Sequence, residues 1–267
     1  MVNVVVIGAA GRMGARLVAL VHAAAGTRLV GATEGKGHPS LGRDAGEQAG
    51  CGRLGVPIEH DLSAVLDRCD VVIDFSAPAS TLANLEAIAS GRRAAVVGTT
   101  GFSPAELAQF HELARQVPCV FSPNMSVGVN VLFKVLGQVA HALGDEYDIE
   151  VVEAHHRLKK DAPSGTALKI VDVLASAMKR DLDQVAVYSR KGIIGERTRT
   201  EIGVQTIRAG DIVGDHTVLF GGPGERVEIT HRAHSRDAFA GGAVRAAQWV
   251  VGRAPGIYDM QDVLGLG

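Results

Sequence analysis

Val2-Asn3-Val4-Val5-Val6-Ile7-Gly8-Ala9-Ala10-Gly11-Arg12-Met13-Gly14 (VNVVVIGAAGRMG) decides how the rest of the chain is read. The β-branched run Val2–Ile7 has no polar alternation, so it predicts a strand buried on both faces, as in a parallel sheet. Arg12–Ala25 places Met13, Leu17, Leu20, Val21 and Ala24 at helical spacing. Glycines between strand and helix let the backbone turn tightly and approach a pyrophosphate. The helix start adds free N–H groups and the positive end of its dipole. The spacing is GxxGxxG rather than GxGxxG, with Ala10 standing where a glycine often does. A ligand-free tight strand-to-helix turn is the competing reading.

Working outward, Arg28–Thr33, Asp70–Phe75, Ala94–Gly98 and Pro118–Phe121 read as further strands. Pro78–Gly91 reads as a helix between two of them. Ser103-Pro104-Ala105-Glu106 has an N-cap serine, proline at N1 and glutamate at N3, which predicts a helix start. This alternation argues a Rossmann-like, doubly wound parallel α/β sheet. The pattern changes near residue 126. Val129–Leu143 predicts a long apolar helix, Tyr147–Ala154 a strand and Leu168–Met178 a helix. Glu201–Ala209, Ile212–Phe220 and Arg226–His234 follow as strands. Gly210-Asp211 and Gly221-Gly222-Pro223-Gly224 separate them at hairpin lengths, so a smaller α+β domain with a mixed sheet is expected. The expected division is 1–126 with 237–267 as a dinucleotide-binding domain, and 127–236 as a substrate-binding and oligomerisation domain. In that division Ala238–Val251 is a helix returning to the first domain. Lys191–Arg199 reads as a mobile loop.

Composition narrows the function classes. The 27 Lys+Arg nearly balance 29 Asp+Glu, so no global basic field is available to hold nucleic acid. Hydrophobic residues make up 46% of the 267, enough for a large core. No apolar run approaches the ~18 residues of a membrane span. Cys51, Cys69 and Cys119 form no CxxC pair, against a disulfide framework or a cysteine-rich zinc site.

Three groups of residues carry candidate chemistry. The first surrounds a cofactor. Gly8, Ala9, Ala10, Gly11, Arg12 and Met13 form the phosphate loop. Glu34 ends the second strand, 20 residues after Gly14, where an acid accepts from ribose hydroxyls. Such a carboxylate repels a 2′-phosphate by roughly 1–4 kcal/mol at about 4 Å. Lys36 can offset that repulsion and Gly35 cannot, so NADH is the expected preference with NADPH tolerated. Gly98-Thr99-Thr100 and Ser122-Pro123-Asn124-Met125 follow strand C-termini, where open α/β sheets bind ligands, and are expected at the nicotinamide side. Routine turn chemistry accounts for them equally well.

The second group is His155-His156-Arg157-Leu158-Lys159-Lys160, and the third is Asp161-Ala162-Pro163-Ser164-Gly165-Thr166 at a helix start. Together they suit a small substrate bearing more than one carboxylate. Histidine is the natural proton donor near neutral pH, and a lysine among cations is a second candidate. A nucleic-acid patch and a solvated, ion-paired face compete for the same basic run. No metal site is expected, because adjacent histidines on an extended segment point apart. His231 and His234 complete a four-histidine group only if they do not alternate along a strand.

Several segments occur in order: GAAGRMG (8–14), VIDF (72–75), GTTGF (98–102), SPNMSVGVN (122–130), EAHHRLKKDAPSGTAL (153–168) and VEITHRAHSR (227–236). Through them the chain resembles the 4-hydroxy-tetrahydrodipicolinate (dihydrodipicolinate) reductase family, from about residue 4 to about residue 252. The resemblance implies NAD(P)H-dependent reduction of a cyclic dicarboxylate in the diaminopimelate route to lysine. It implies His155 as the proton donor and Lys159 as the second donor. It implies His156, Gly165 and Thr166 at the substrate carboxylate, and the residues named above at the cofactor. A cytoplasmic homotetramer with a hinge between its domains is the implied assembly. Two departures stand out. Gly35 occupies the position where some members carry Arg, and Ser76-Ala77 follows Asp74-Phe75 where some have Thr-Arg. A related dehydrogenase of another substrate, or a nicotinamide-sensing protein without turnover, would share the first domain. Neither needs the HHRLKK–SGT arrangement.

Overall fold

The computed structural model describes residues 1–266, which divide into two compact units. The first comprises Met1–Val127 and the chain from Arg236 onward; the second is Gly128–Ser235. In chain order the strands are β1 Val2–Ile7, β2 Thr27–Thr33, β3 Ile58–Glu59, β4 Val71–Asp74, β5 Ala94–Val97 and β6 Pro118–Phe121. Then come β7 Asp148–His155, β8 Ala186–Val187, β9 Ile202–Arg208, β10 Gly214–Gly222, β11 Glu225–Ala233 and β12 Gly256–Tyr258. The helices are α1 Arg12–Ala23, α2 Ala45–Ala49, α3 Ser63–Leu66, α4 Pro78–Ser90, α5 Pro104–Ala114 and α6 Val127–Leu143. They continue with α7 Gly165–Ala177, α8 Leu182–Val185, α9 Asp237–Val250 and α10 Met260–Leu264.

The first unit is a seven-stranded sheet in the order β12-β6-β5-β4-β1-β2-β3. Every pairing in it is parallel. Successive side chains of a strand leave by opposite faces, so β1 feeds two cores. Val4 and Val6 pack with Leu17, Val18 and Val21 of α1 and Ala243, Val244 and Ala247 of α9. Val5 and Ile7 pack with Val65, Leu82, Leu85, Ile88 and Phe110 on the other face. Burial on both faces is why β1 carries no polar alternation. Helix α5 starts as its residues require: Ser103 Oγ accepts from Glu106 N, and Ser103 N donates back to Glu106 Oε2.

The second unit is a five-stranded mixed sheet ordered β11-β10-β7-β9-β8. Its covered face packs Ile149, Val151, Val204, Val218 and Phe220 against Leu132, Leu136, Ile170, Val171 and Leu174. The doubly wound class and the mixed second sheet match the expectation. Three local expectations need correction or detail. First, β10 and β11 form a hairpin around Pro223-Gly224, but β9 and β10 do not pair, because β7 lies between them. Crossing a strand means spanning about 10 Å, twice the interstrand spacing, which would stretch a two-residue turn to nearly its full length. The connection runs from 209 to 213.

Second, the Lys191–Arg199 segment is a loop, as expected, exposed over 191–196 and tied to the sheet near its C-terminal end. Arg197 donates to Asp148 Oδ1 at 2.7 Å, to Ile149 O at 3.0 Å and to Glu201 O at 2.7 Å. Arg190 holds Glu150 through two bonds, while Ile193 and Ile194 at the tip stay exposed. Third, α6 with the turn that follows it spans the 20 residues Val127–Glu146, contains an 18-residue window of mean hydropathy 1.3, and is by length and composition long and apolar enough to cross a membrane. Its hydropathy is spread between Asn130, Lys134, Gln138 and His141, so no unbroken apolar run marks it. Its Leu132, Leu136 and Ala140 lie in the core of the second unit.

Candidate active site

The residues expected at the cofactor all belong to the first unit. All its loops leave the C-terminal edge of one parallel sheet, so they gather at one edge. Gly8 adopts φ +66°, a left-handed conformation that favours glycine. Gly14 sits so close behind it that a Cβ would lie 1.9 Å from Gly8 O. Helix α1 starts at N-cap Gly11 with no side-chain cap, so its first N–H groups remain available to an anion. Glu34, just past β2, already reaches this loop. Its Oε2 accepts from Ala10 N at 3.1 Å and its Oε1 from Gly35 N at 3.0 Å. An uncapped helix start, a backbone approach closed to any side chain and a carboxylate at the ribose position fit a dinucleotide.

The other cofactor-side residues divide. Gly98 leaves no room for a side chain, since a Cβ would meet the Phe75 ring at 2.2 Å. Thr99 is buried and its hydroxyl pairs with Thr81 at 2.8 Å, so its side chain is engaged within the fold. Thr100 is exposed. Ser122 Oγ donates to Asn124 O at 2.8 Å, and Ser126 N to Asn124 Oδ1 at 2.9 Å. These bonds fix the turn of which Pro123 is the exposed corner. Met125 is buried beneath it, where Gly242 of α9 approaches so closely that a Cβ would lie 1.7 Å from Met125 O. Asp74 accepts from Ser76 N and Asn84 Nδ2, a structural role.

The residues expected at the substrate all belong to the second unit. Alternation along β7 sends Ile149, Val151, Glu153 and His155 to the covered face. The first two join the core and the last two end it. His155 Nδ1 lies 2.6 Å from Glu153 Oε2. Burial, helped by Lys159 and Arg208, depresses the His155 pKa, and Glu153 opposes that shift without cancelling it. His156 through Lys159 form a turn closed by Lys159 N to His156 O. The buried Nδ1 of His156 has no hydrogen-bond partner among the described residues. Lys159 Nζ lies 2.9 Å from Asp161, so its charge is matched by a carboxylate, not set only among cations.

Ser164 caps α7 by accepting from Ala167 N, and Gly165 and Thr166 are its first two residues. Space beside Gly165 is open. Thus His155, His156, Lys159, Gly165 and Thr166 belong to one strand–turn–helix. Sequence reading gave no role to Glu153, Arg208 or His216. Arg208 donates to both Glu153 oxygens at 2.9 Å. His216 Nε2 lies 3.1 Å from Ser164 Oγ, and burial pushes its pKa down to about 3. An acid on the apolar face of β7 was the available signal for Glu153. Arg208 and His216 carried none, since β9 and β10 meet this face only in the folded sheet.

The family models for the N-terminus and C-terminus of dihydrodipicolinate reductase match residues 2–125 and 128–264. The chain belongs to the dihydrodipicolinate reductase family. It is therefore an NAD(P)-dependent oxidoreductase. The 4-hydroxy-tetrahydrodipicolinate reductase of Citrifermentans bemidjiense is 59% identical over 266 residues, covering 100% of both chains. That of Geobacter sulfurreducens is 58% identical over the same length and coverage. Among solved structures, a dipicolinate-bound dihydrodipicolinate reductase from Paenisporosarcina sp. TG-14 superposes with TM-score 0.76 at 23% identity, covering 98% of each chain. GenD2 from gentamicin A biosynthesis, in complex with NAD, aligns with TM-score 0.62 at 14% identity, covering 99% of this chain and 90% of its own. Both structural matches share the fold of this family member.

Proposed function

We propose that the chain reduces 4-hydroxy-tetrahydrodipicolinate to tetrahydrodipicolinate with a nicotinamide cofactor, in the diaminopimelate route to lysine. The observation that carries this reading is the single strand–turn–helix from Glu153 to Thr166. It carries, in one continuous stretch of chain, a histidine suited to donate a proton, a lysine ammonium and a helix start suited to a carboxylate. Bound NAD(P)H supplies the hydride. The loop Gly8–Met13 binds the diphosphate, Glu34 the ribose hydroxyls, and Gly98–Thr100 with Ser122–Met125 the nicotinamide side. His156, Gly165 and Thr166 hold a substrate carboxylate and orient the ring. The 4-hydroxyl leaves as water, which conjugates a ring C=C bond to the C=N bond, and as hydride reaches the far carbon of that system negative charge moves toward the ring nitrogen. His155 and Lys159 stabilise that charge more than they stabilise the starting ring, and supply the completing proton. The same reading includes a homotetramer assembled through the Gly128–Ser235 unit and a cytoplasmic setting, both carried by the family resemblance.

The direct test follows oxidation of each reduced cofactor, with substrate generated in situ from pyruvate and aspartate semialdehyde by a synthase. Oxidation dependent on both precursors is expected. Folded protein that binds NADH yet oxidises neither cofactor would overturn the assignment.

Preference for NADH over NADPH rests on Glu34, whose carboxylate reaches Ala10 N where the adenosine ribose belongs. Glu34→Ala is expected to weaken NADH binding several-fold and to strengthen NADPH binding. Together these effects move the ratio of dissociation constants about tenfold, the equivalent of roughly 1.4 kcal/mol. Fluorescence titration with both cofactors reads it directly; an unchanged ratio removes Glu34 from the discrimination.

The depressed His155 pKa fixes the sign of a pH effect. The proton-bearing form is the donor, so kcat/KM should fall as pH rises through a value below the ordinary histidine range. A bound dianion favours the imidazolium, so the corresponding limb of kcat should lie at higher pH. Dipicolinate binding near pH 7 should then take up protons. Titration calorimetry in two buffers of different ionisation enthalpy measures the uptake, and identical heats would contradict it.

A further inference from the structure

Glu153 is fully buried on β7, and the chemistry proposed above does not use it. A buried carboxylate is costly unless its lone pairs are met by donors. Here both oxygens are met. Oε2 accepts from Arg208 Nη1 at 2.9 Å and pairs with His155 Nδ1 at 2.6 Å. Oε1 accepts from Arg208 Nη2 at 2.9 Å, Ser164 N at 3.0 Å and Thr206 Oγ1 at 3.4 Å. Burial works to raise its pKa, but the bonds from Arg208, His155 and Ser164 prevail and hold the carboxyl below its usual range. Glu153 is therefore an anion, able only to accept, so the hydrogen shared with His155 lies on Nδ1.

We propose that Glu153 is the positioning carboxylate of this active site: it holds His155 in the Nδ1–H tautomer, leaving Nε2 as the atom that exchanges the proton, and ties His155 to the α7 start through Ser164 N. The proposal rests on the reading of His155 as proton donor. A histidine without this anchor turns freely and populates both tautomers. One whose Nδ1–H is spoken for takes up and releases its proton at a single atom. The same carboxylate reaches the residue that caps the helix presenting Gly165 and Thr166. Proton donor and carboxylate site thus share one rigid reference. Other charged or titratable groups also face His155. Arg208 comes from β9, Lys159 with its partner Asp161 from the following turn, and His216 from β10, its ring centroid 5.2 Å away. His231 of β11 stands opposite His216. Arg208 and Lys159 disfavour the imidazolium, and Glu153 is the group bonded to the ring that favours it.

The test uses full-length protein with 15N-labelled histidine, as wild type, Glu153→Gln and Glu153→Asp. Ring-nitrogen chemical shifts read the tautomer and titration of His155, and initial rates against pH read the chemistry. Wild type should show the Nδ1–H tautomer in its neutral form. A predominant Nε2–H tautomer would overturn the proposal without any variant. In Glu153→Gln the tautomers should mix and the His155 titration should move to lower pH. The kcat/KM limb should follow it, and kcat should drop about a hundredfold or more. NADH affinity should not change, because the cofactor residues belong to the other unit. Glu153→Asp, which keeps the charge, should recover part of the rate and keep the limb near its wild-type position. An unaltered tautomer and pH limb in Glu153→Gln, while His155→Gln is inactive, would overturn the positioning role and leave the proton-donor reading intact. A shifted tautomer with an unaltered rate would remove His155 from the chemistry, and the proposal with it.

Discussion

His155→Gln is expected to lower kcat by about 10² to 10⁴, the range that a positioned general acid contributes, with the NADH dissociation constant unchanged. The substitution keeps a polar side chain of similar size at the end of β7 and removes the imidazole to which the proposal assigns the proton. The cofactor loops belong to the first unit and His155 to the second, so binding and turnover separate. Lys159→Ala should lower kcat by about a hundredfold, again without affecting NADH. Its loss also leaves exposed Asp161 unpaired, which costs little in solvent. The double variant should fall short of the product of the two effects, because both groups serve one developing charge. Stopped-flow and steady-state rates, with NADH fluorescence as the control, decide the point. A kcat that survives both substitutions would remove these residues from the chemistry.

Gly14→Ala should unfold or grossly weaken the first unit, at a cost above about 3 kcal/mol, and abolish NADH binding. The added Cβ would lie 1.9 Å from Gly8 O, 2.6 Å from Gly8 C and 2.7 Å from Ala9 Cα. All three are backbone atoms, so no rotamer relieves the overlap. Helix α1 must move off β1, which breaks the contacts of Leu17, Val18 and Val21 in the core. Gly241→Ala is the matched control. It adds the same methyl group at an exposed position of α9, where a Cβ meets nothing within 4 Å, and should stabilise by about 0.5–1 kcal/mol through helix propensity. Urea unfolding of both variants measures the contrast. A Gly14→Ala protein as stable as wild type would mean that the strand–turn–helix approach is looser than described.

Much of the first unit was legible because its signals are local and long. The five β-branched residues of β1, the glycine turn after them, and the Ser103–Glu106 capping box each act within one turn or strand. The structure places β1, β6 and the start of α5 where those signals put them. Shorter elements left no such trace. Strands β3, β8 and β12 and helices α2, α3 and α8 have two to five residues, too few for a period to emerge. They exist because neighbours hold them: Asp44, for example, caps α2 and also accepts from Leu54, Gly55 and Val56. The basic run and the helix start after it were legible as chemistry, since residue type and adjacency along the chain suffice to bring a histidine, a lysine and a carboxylate site together.

By itself the sequence determined the parallel class of the first sheet, the phosphate loop, and the segment that holds His155, Lys159 and Gly165-Thr166. Each depends on residues close in the chain and on periodicities of two or 3.6 that local sterics impose. Only the tertiary structure decided which strand lies beside β7. Turn length permits a β9–β10 hairpin but does not require it, and the choice was made by the packing of Val151, Val204 and Val218 on one covered face. That choice brings Arg208 and His216 from either side onto Glu153, His155 and Ser164. A buried carboxylate, its guanidinium partner and the imidazole it orients come from positions up to 55 residues apart. Their meeting is a property of the sheet order, which no local pattern encodes.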